Sequence, residues 1–383
     1  MRPSQPKDEK DPGGGHRTRK QPQNPIPTQM PCSNLHDAEA PHLLADQSVI
    51  ENYIRRIVHL AQKYEFATFR IGTHLKLDVP DEAAVEFKRD INRRVALGVY
   101  ELLPDREPSR EATEAAFLLH YPGHWVDVEL APVFVYGRYL KFARDLPQAK
   151  WRCLECRGKG CNECGHTGWV YQTSVEGIIA GPLLEAIGAA DTKMHAVGRQ
   201  DVDVRMLGNG RPFALELIRP RKRHADLPTL QERINRSTGA VEVSELQFVT
   251  RRIVRIVDTA KADKSYRATV LAGRPIDEAA LGKLRGLSGV TIHQRTPERV
   301  AHRRADKVRM RSIRNLEARL PEGAGASGTF EIELTTETGT YIKELVSGDA
   351  GRTGPSVAGI LGVDCICLEL DVTGVHFDPL TEE

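Results

Sequence analysis

Asp201 stands in Gly198-Arg199-Gln200-Asp201, among residues that equip a carboxylate to act as a nucleophile. Gly198 lets the backbone bend, and a neighbouring cation such as Arg199 can hold the acid ionised and present it to a substrate. Two later strings supply matching groups. Lys264-Ser265-Tyr266-Arg267 sets a Tyr among cations, and Gly339-Thr340-Tyr341-Ile342-Lys343 adds a second Tyr with a Lys two residues on. An enzyme that works on a base within a polynucleotide must take it out of its stack and hold it against aromatic or apolar groups. Each stacking ring contributes about 1–3 kcal/mol per base. The carboxylate in such a pocket needs a partner cation, and Lys343 or Arg199 can provide it. Asp203 is the rival of Asp201, two residues along the same segment.

A second cluster suggests metal. Cys153, Cys156, Cys161 and Cys164 form two Cys-x-x-Cys pairs, with glycines at 158, 160, 165 and 168 for tight turns. In a reducing compartment such pairs read as metal ligands rather than disulfides. Four thiolates suit tetrahedral Zn(II), with a [4Fe–4S] cluster as the second choice, and leave no open position for metal catalysis. The reading is therefore a structural metal; reduced free thiols or a decayed site are the alternatives.

The basic residues are unevenly placed. Net charge is only +2, yet residues 295–319 hold nine Lys or Arg against Glu298, Asp306 and Glu317. Arg219-Pro220-Arg221-Lys222-Arg223-His224 forms another run. One-sided basic faces bracketing a candidate site favour a nucleic-acid partner. Residues 1–31 are polar and rich in Pro and Gly, and the tail 1–44 is expected to be disordered. It lacks the apolar core of a signal peptide, and no later stretch reaches transmembrane length, so a cytoplasmic protein is expected.

The elements that must position these residues fall into two groups. Over 45–150 the patterning predicts a helix from Val49, another over 81–96, strands at 66–77, 125–130 and 133–136, and a polar loop with a short helix over 101–122. Gly137-Arg138-Tyr139-Leu140-Lys141 interleaves cations with aromatics, a pattern suited to stacking and phosphate contact. The Cys-rich linker occupies 151–172. Over 173–383, a helix at 175–189 leads to a hairpin with strands at 202–206 and 213–217 around a turn at 208–211. Strands at 242–256, 265–271, 330–334 and 365–372 and helices at 278–285 and from 339 complete an α+β domain on a mostly antiparallel mixed sheet.

These strings also carry a family resemblance. Gly198-Arg199-Gln200-Asp201 resembles the catalytic Asp motif of pseudouridine synthases, Lys264-Ser265-Tyr266 their stacking-Tyr motif, and Gly339-Thr340-Tyr341-Ile342-Lys343 their third motif. The run from Gly198 to Pro212, Arg295-Thr296-Pro297-Glu298-Arg299-Val300, and Gly348-Asp349-Ala350-Gly351-Arg352-Thr353 are similar to the archaeal Pus-ten family of tRNA pseudouridine synthases. Residues 45–150, ending in Val135-Tyr136-Gly137-Arg138-Tyr139, resemble that family's THUMP-containing RNA-binding region.

The resemblance implies a tRNA substrate and isomerisation of T-loop uridine 55 to pseudouridine, with uridine 54 as the second candidate. It makes Asp201 the nucleophile, Lys343 its cation, and Tyr266 and Tyr341 the pocket rings. Leu370 on the face Ile366-Leu368-Leu370-Val372 becomes the aliphatic residue against the base, with Leu368 nearly as suitable. No catalytic cofactor or nucleotide is implied; Gly348 to Gly354 lacks the Gly-Lys-Ser/Thr ending of a phosphate loop. The rival readings are a non-catalytic tRNA-binding adaptor with a structural zinc site, and a Cys-x-x-Cys redox or chaperone protein.

Overall fold

The computed structural model describes residues 45–321 and 328–382. The expected disorder of the tail falls on residues outside these. A small four-stranded sheet comes first, in the order Glu107–Pro108, Thr68–Leu75, Ala115–Tyr121, Trp125–Leu130. Its last two strands are antiparallel and the others parallel. The helices Gln47–Ala61 and Asp81–Leu102 accompany it, the first capped by Asp46, whose carboxylate accepts from the Ser48 amide. Tyr53, Ile57, Phe87, Ile91, Phe69 and Phe117 are buried in this layer. The region expected to be a polar loop contains the strand Ala115–Tyr121, with Ala115, Phe117 and Leu119 buried in alternation. The surrounding acids and arginines masked that short alternation.

The remaining strands build one ten-stranded sheet. Its order is Thr353–Gly354, Thr291–Arg295, Val308–Arg319, Thr329–Thr336, Asp263–Ala272, Cys365–His376, Arg205–Ile218, Val133–Lys141, Val241–Val249, with Asp191–Ala196 also paired to Arg205–Ile218. All pairings are antiparallel except that of Cys365–His376 with Arg205–Ile218. The α+β class and the mostly antiparallel mixed sheet are therefore observed.

Val133–Lys141 lies between Arg205–Ile218 and Val241–Val249, so it belongs to this sheet and not to the small one. A boundary at 150 thus falls one strand too late. The same pairing explains why Arg138, Tyr139 and Lys141 are buried at 7%, 0% and 1% exposure rather than presented to phosphates. The basic run after residue 218 joins the two sheets. Arg223 pairs with Glu114 at 3.0 Å and donates to the Ala131 carbonyl at 3.1 Å.

Two further expectations give way to packing. The proposed hairpin is instead the single strand Arg205–Ile218, preceded by a loop over 197–204. Gly208 is a bend within that strand. Its φ is +64°, and a Cβ there would stand 1.8 Å from the Thr373 carbonyl oxygen, so a close backbone approach requires glycine. The strand read at 242–256 divides into Val241–Val249 and the helix Arg251–Thr259. Ile253, Val254 and Val257 are buried together on one helical face. Burying three such side chains is worth about 1.5–3 kcal/mol each, which outweighs their helix-propensity penalty of a few tenths each. Among the described residues no helix is long and apolar enough to cross a membrane.

Candidate active site

The loop over 197–204 carries Asp201 at the entry to Arg205–Ile218. Gly198 has φ +78°, and a Cβ there would meet the buried Lys264 ammonium at 3.2 Å. The Asp201 carboxylate is 41% exposed; Arg299 Nη1 lies 3.1 Å away and Lys343 Nζ 3.9 Å away. Lys343 is closer to Asp203, at 2.6 Å. Burial alone would push the Asp203 carboxyl up, but the hydrogen bond and charge of Lys343 outweigh it and hold it below the ordinary value. Lys343 therefore spans both acids. Arg199 is exposed and makes no hydrogen bond or ion pair among the described residues, so it is not the cation holding Asp201.

Arg299 was not singled out by sequence reasoning, although it lies in the quoted string around residue 297. Its Nε donates to Glu344 Oε1 at 2.6 Å, and its guanidinium carbon lies 6.0 Å from the Tyr341 ring centroid. It thereby joins the Asp201 loop to the start of the helix Ile342–Ser347. The Gly-rich string after Val346 helps hold the segment bearing Arg299. Arg352 donates to the Thr296 carbonyl at 2.6 Å, and the Glu298 amide donates to Asp349 at 3.3 Å. No local pattern signals these contacts, because every partner is remote in sequence.

Tyr341 is fixed through its backbone, which exchanges two 2.9 Å hydrogen bonds with the Gln294 side-chain amide. Tyr266 sits on Asp263–Ala272 opposite Leu334 and Val372. Burial pushes its phenol up to about 12, with the Arg211 charge opposing, so it stays neutral at physiological pH. Leu370 is 7% exposed and part of the main core, whereas Ile366 and Leu368 are 60% and 52% exposed. A register shift between Cys367 and Glu369 breaks the supposed continuous apolar face. The basic run is also less free than its composition suggests. Arg295, Arg311, Arg314 and Arg319 are in ion pairs, while Arg304 and Lys307 have none among the described residues.

The four cysteines converge. Their sulfurs lie within 4.8 Å of one another, with Cys153–Cys161, Cys156–Cys164 and Cys161–Cys164 each at 3.8 Å. Zn–S bonds of about 2.3 Å give a tetrahedral S–S edge of about 3.8 Å, so the donor set fits zinc. The Cys161 and Gly168 amides donate to Cys164 Sγ, and such hydrogen bonds bring its thiol down to about 6. An antiparallel bridge between Arg152 and Trp169 closes the loop.

The family model described as "Pus10, C-terminal" matches residues 134–376. The chain is 40% identical over 342 residues to tRNA pseudouridine synthase Pus10 of Methanothrix thermoacetophila, covering 85% of this chain and 74% of that protein. Against the protein of the same name from Archaeoglobus fulgidus it is 41% identical, covering 85% and 92%. The chain belongs to the Pus10 family. As a Pus10 protein it is an isomerase of the pseudouridine synthase class. The Pus10 match starts within the strand Val133–Lys141 and takes in Asp201, Tyr266, Arg299, Tyr341 and Lys343. Among solved structures, a Cbf5-Nop10-Gar1 complex matches with a TM-score of 0.33 and 18% identity, covering 52% of this chain and 45% of that one.

Proposed function

We propose that this Pus10 protein isomerises uridine 55, and also uridine 54, in the T-loop of tRNA, with Asp201 as nucleophile. The observation that carries the reading is the Asp201 carboxylate on a bent loop, held between Lys343 and an Arg299 whose guanidinium also faces the Tyr341 ring. Covalent catalysis breaks the bond between uracil N1 and ribose C1′, rotates the uracil, and forms the C5–C1′ bond. The C5 hydrogen leaves to solvent and N1 gains a proton, so atoms balance without oxidant or reductant. Arg299 and Lys343 face the carboxylate at 3.1 Å and 3.9 Å, and Tyr266 and Tyr341 receive the uracil. Leu370 backs this pocket from the core.

The small four-stranded unit serves as a THUMP-like RNA-binding module, and Cys153, Cys156, Cys161 and Cys164 hold one structural Zn(II). Zinc here would cross-link the segment between the small unit and the helix Val175–Ile187. It takes no part in the reaction, because four thiolates fill its coordination.

Pseudouridine mapping on an unmodified tRNA transcript tests the reading. The expected result is modification at 55 and at 54, each lost singly when that uridine is replaced by cytidine. Binding without modification would support the adaptor reading instead.

A further inference from the structure

We propose that Lys141 is a positioning residue for the reaction: its ammonium, buried beneath the loop over 197–204, holds the Val202 carbonyl and so fixes where the Asp201 carboxylate stands. The inference rests on the assignment of Asp201 as nucleophile.

Lys141 ends the strand Val133–Lys141 and is 1% exposed. Its Nζ donates to the Val202 carbonyl at 2.6 Å and to the Leu146 carbonyl at 2.9 Å. A buried ammonium is costly unless hydrogen bonds replace its water, so these contacts have to be well formed. What it grips is the carbonyl one residue beyond Asp201. Beyond the Val197 amide, which donates to the Pro212 carbonyl at 3.1 Å, the loop over 197–204 lies outside the strand pairings, and its bond from the Val204 amide to the Asp201 carbonyl is long, at 3.3 Å.

Cations take two of its other carbonyls too. Arg211 donates to Val197 at 2.9 Å and Arg144 to Asp203 at 3.2 Å. Lys141 alone among the three grips the residue next to Asp201, and through Leu146 it ties the loop to the strap leading to the cysteines. A nucleophile displaced by about 1 Å can lose about 100-fold in rate.

The charged groups facing Lys141 set its response to pH. Burial pushes its ammonium down to about 8; Asp203 and Asp145 favour the charge, and Arg211 and Arg144 oppose it. Lys264, at the Gly198 end of the loop, is pushed down to about 8 by burial and by Arg211, with Asp263 opposing. Protonated Lys141 holds the loop below pH 8, and its grip weakens as the proton leaves above that.

The experiment is single-turnover pseudouridine formation on saturating tRNA transcript, with full-length wild type, Lys141→Met, Lys141→Arg, Lys264→Met and Asp201→Asn. Hydrogen exchange at the amides of 197–204 is measured alongside. Lys141→Met is expected to lower the rate about 10- to 100-fold while tRNA affinity stays within about 3-fold. Exchange should rise in the loop while Arg205–Ile218 keeps its protection. Lys141→Arg should restore part of the rate and move the alkaline limb upward, because a guanidinium stays charged. If Lys141→Met does not fold, Lys141→Gln, uncharged and one bond too short to keep the Val202 contact, is read by the same criteria.

A wild-type rate in Lys141→Met, or a rate loss matched by faster exchange throughout the sheet, overturns the proposal. So does an alkaline limb that disappears in Lys264→Met and persists in Lys141→Met. Asp201→Asn separates the two ideas. Activity in that variant removes the nucleophile assignment, whereas an inactive Asp201→Asn beside a fully active Lys141→Met removes the positioning role alone.

Discussion

Replacing Arg299 by Met tests whether its guanidinium organises the site. Its Nε sits 2.6 Å from Glu344 Oε1, and the Glu344 side chain is only 6% exposed. Glu344 Oε2 is already without a partner among the described residues, so the substitution leaves a buried carboxylate bare on both oxygens. Breaking a fully buried pair costs about 3–5 kcal/mol. Arg299 is 40% exposed, however, so solvent screens part of the attraction. The range for a hydrogen bond to a charged group, about 1.5–3 kcal/mol, is the better guide. The contact with Asp201 adds less. At 3.1 Å in a water-like dielectric it is worth about 1 kcal/mol, and both groups are about two-fifths exposed. The expected loss in Arg299→Met is therefore about 2 kcal/mol. Urea unfolding of Arg299→Met, Glu344→Gln and the double variant measures it as a cycle. The double variant should be more stable than the sum of the single losses by about 1.5 kcal/mol. Additivity within about 0.5 kcal/mol would refute the claim that Arg299 and Glu344 act as a pair.

Tyr266→Leu should lower the single-turnover rate about 5- to 150-fold, the equivalent of one stacking contact, with little change in unfolding midpoint; an unchanged rate takes Tyr266 out of the base pocket. Asp371 provides a pH test. Burial raises its carboxyl, but the Arg205 hydrogen bond and the Arg144 and Arg205 charges bring it below the usual value. Its folded value being depressed, its contribution is full above the unfolded value near about 4 and is lost as pH falls through the folded value. Asp371→Asn should flatten the decline of stability below about pH 4, and a slope equal to wild type would contradict that linkage. Cys153→Ser should lose about one equivalent of bound zinc per chain and lower the melting temperature as much as a chelator lowers that of wild type. A zinc-free wild type whose melting is indifferent to chelator would show that the cysteines carry no metal.

The strings singled out as candidates for chemistry stood out because each is short and contiguous. Asp201, Tyr266, Tyr341 and Lys343 sit in local patterns that a linear reading can weigh. Arg299 and Glu344 were not legible as a pair, since their roles arise only when the segment at 298–303 folds against Ile342–Ser347. The cation–aromatic pattern at 138–141 misled for a different reason. Val133–Lys141 has neighbours on both edges and is buried along most of its length, and such strands do not alternate polar with apolar residues. Gly-Asn-Gly at 208–210 has the chemistry of a turn, yet Gly208 serves the close passage of Thr373 within one long strand. Local propensity identified the glycine and tertiary contact decided its use. The helix Arg251–Thr259 repeats that lesson, its β-branched residues suggesting strand until a buried face selects helix.

Release of tritium from tRNA transcript labelled at uracil C5 tests the central claim most directly, because forming the C5–C1′ bond must expel that hydrogen. Wild type and Asp201→Asn would be compared at equal tRNA occupancy in a single turnover. The account predicts release by wild type and none by Asp201→Asn, with tRNA affinity preserved within a few-fold. Release by Asp201→Asn at a rate near that of wild type would contradict it and return the search for the nucleophile to Asp203.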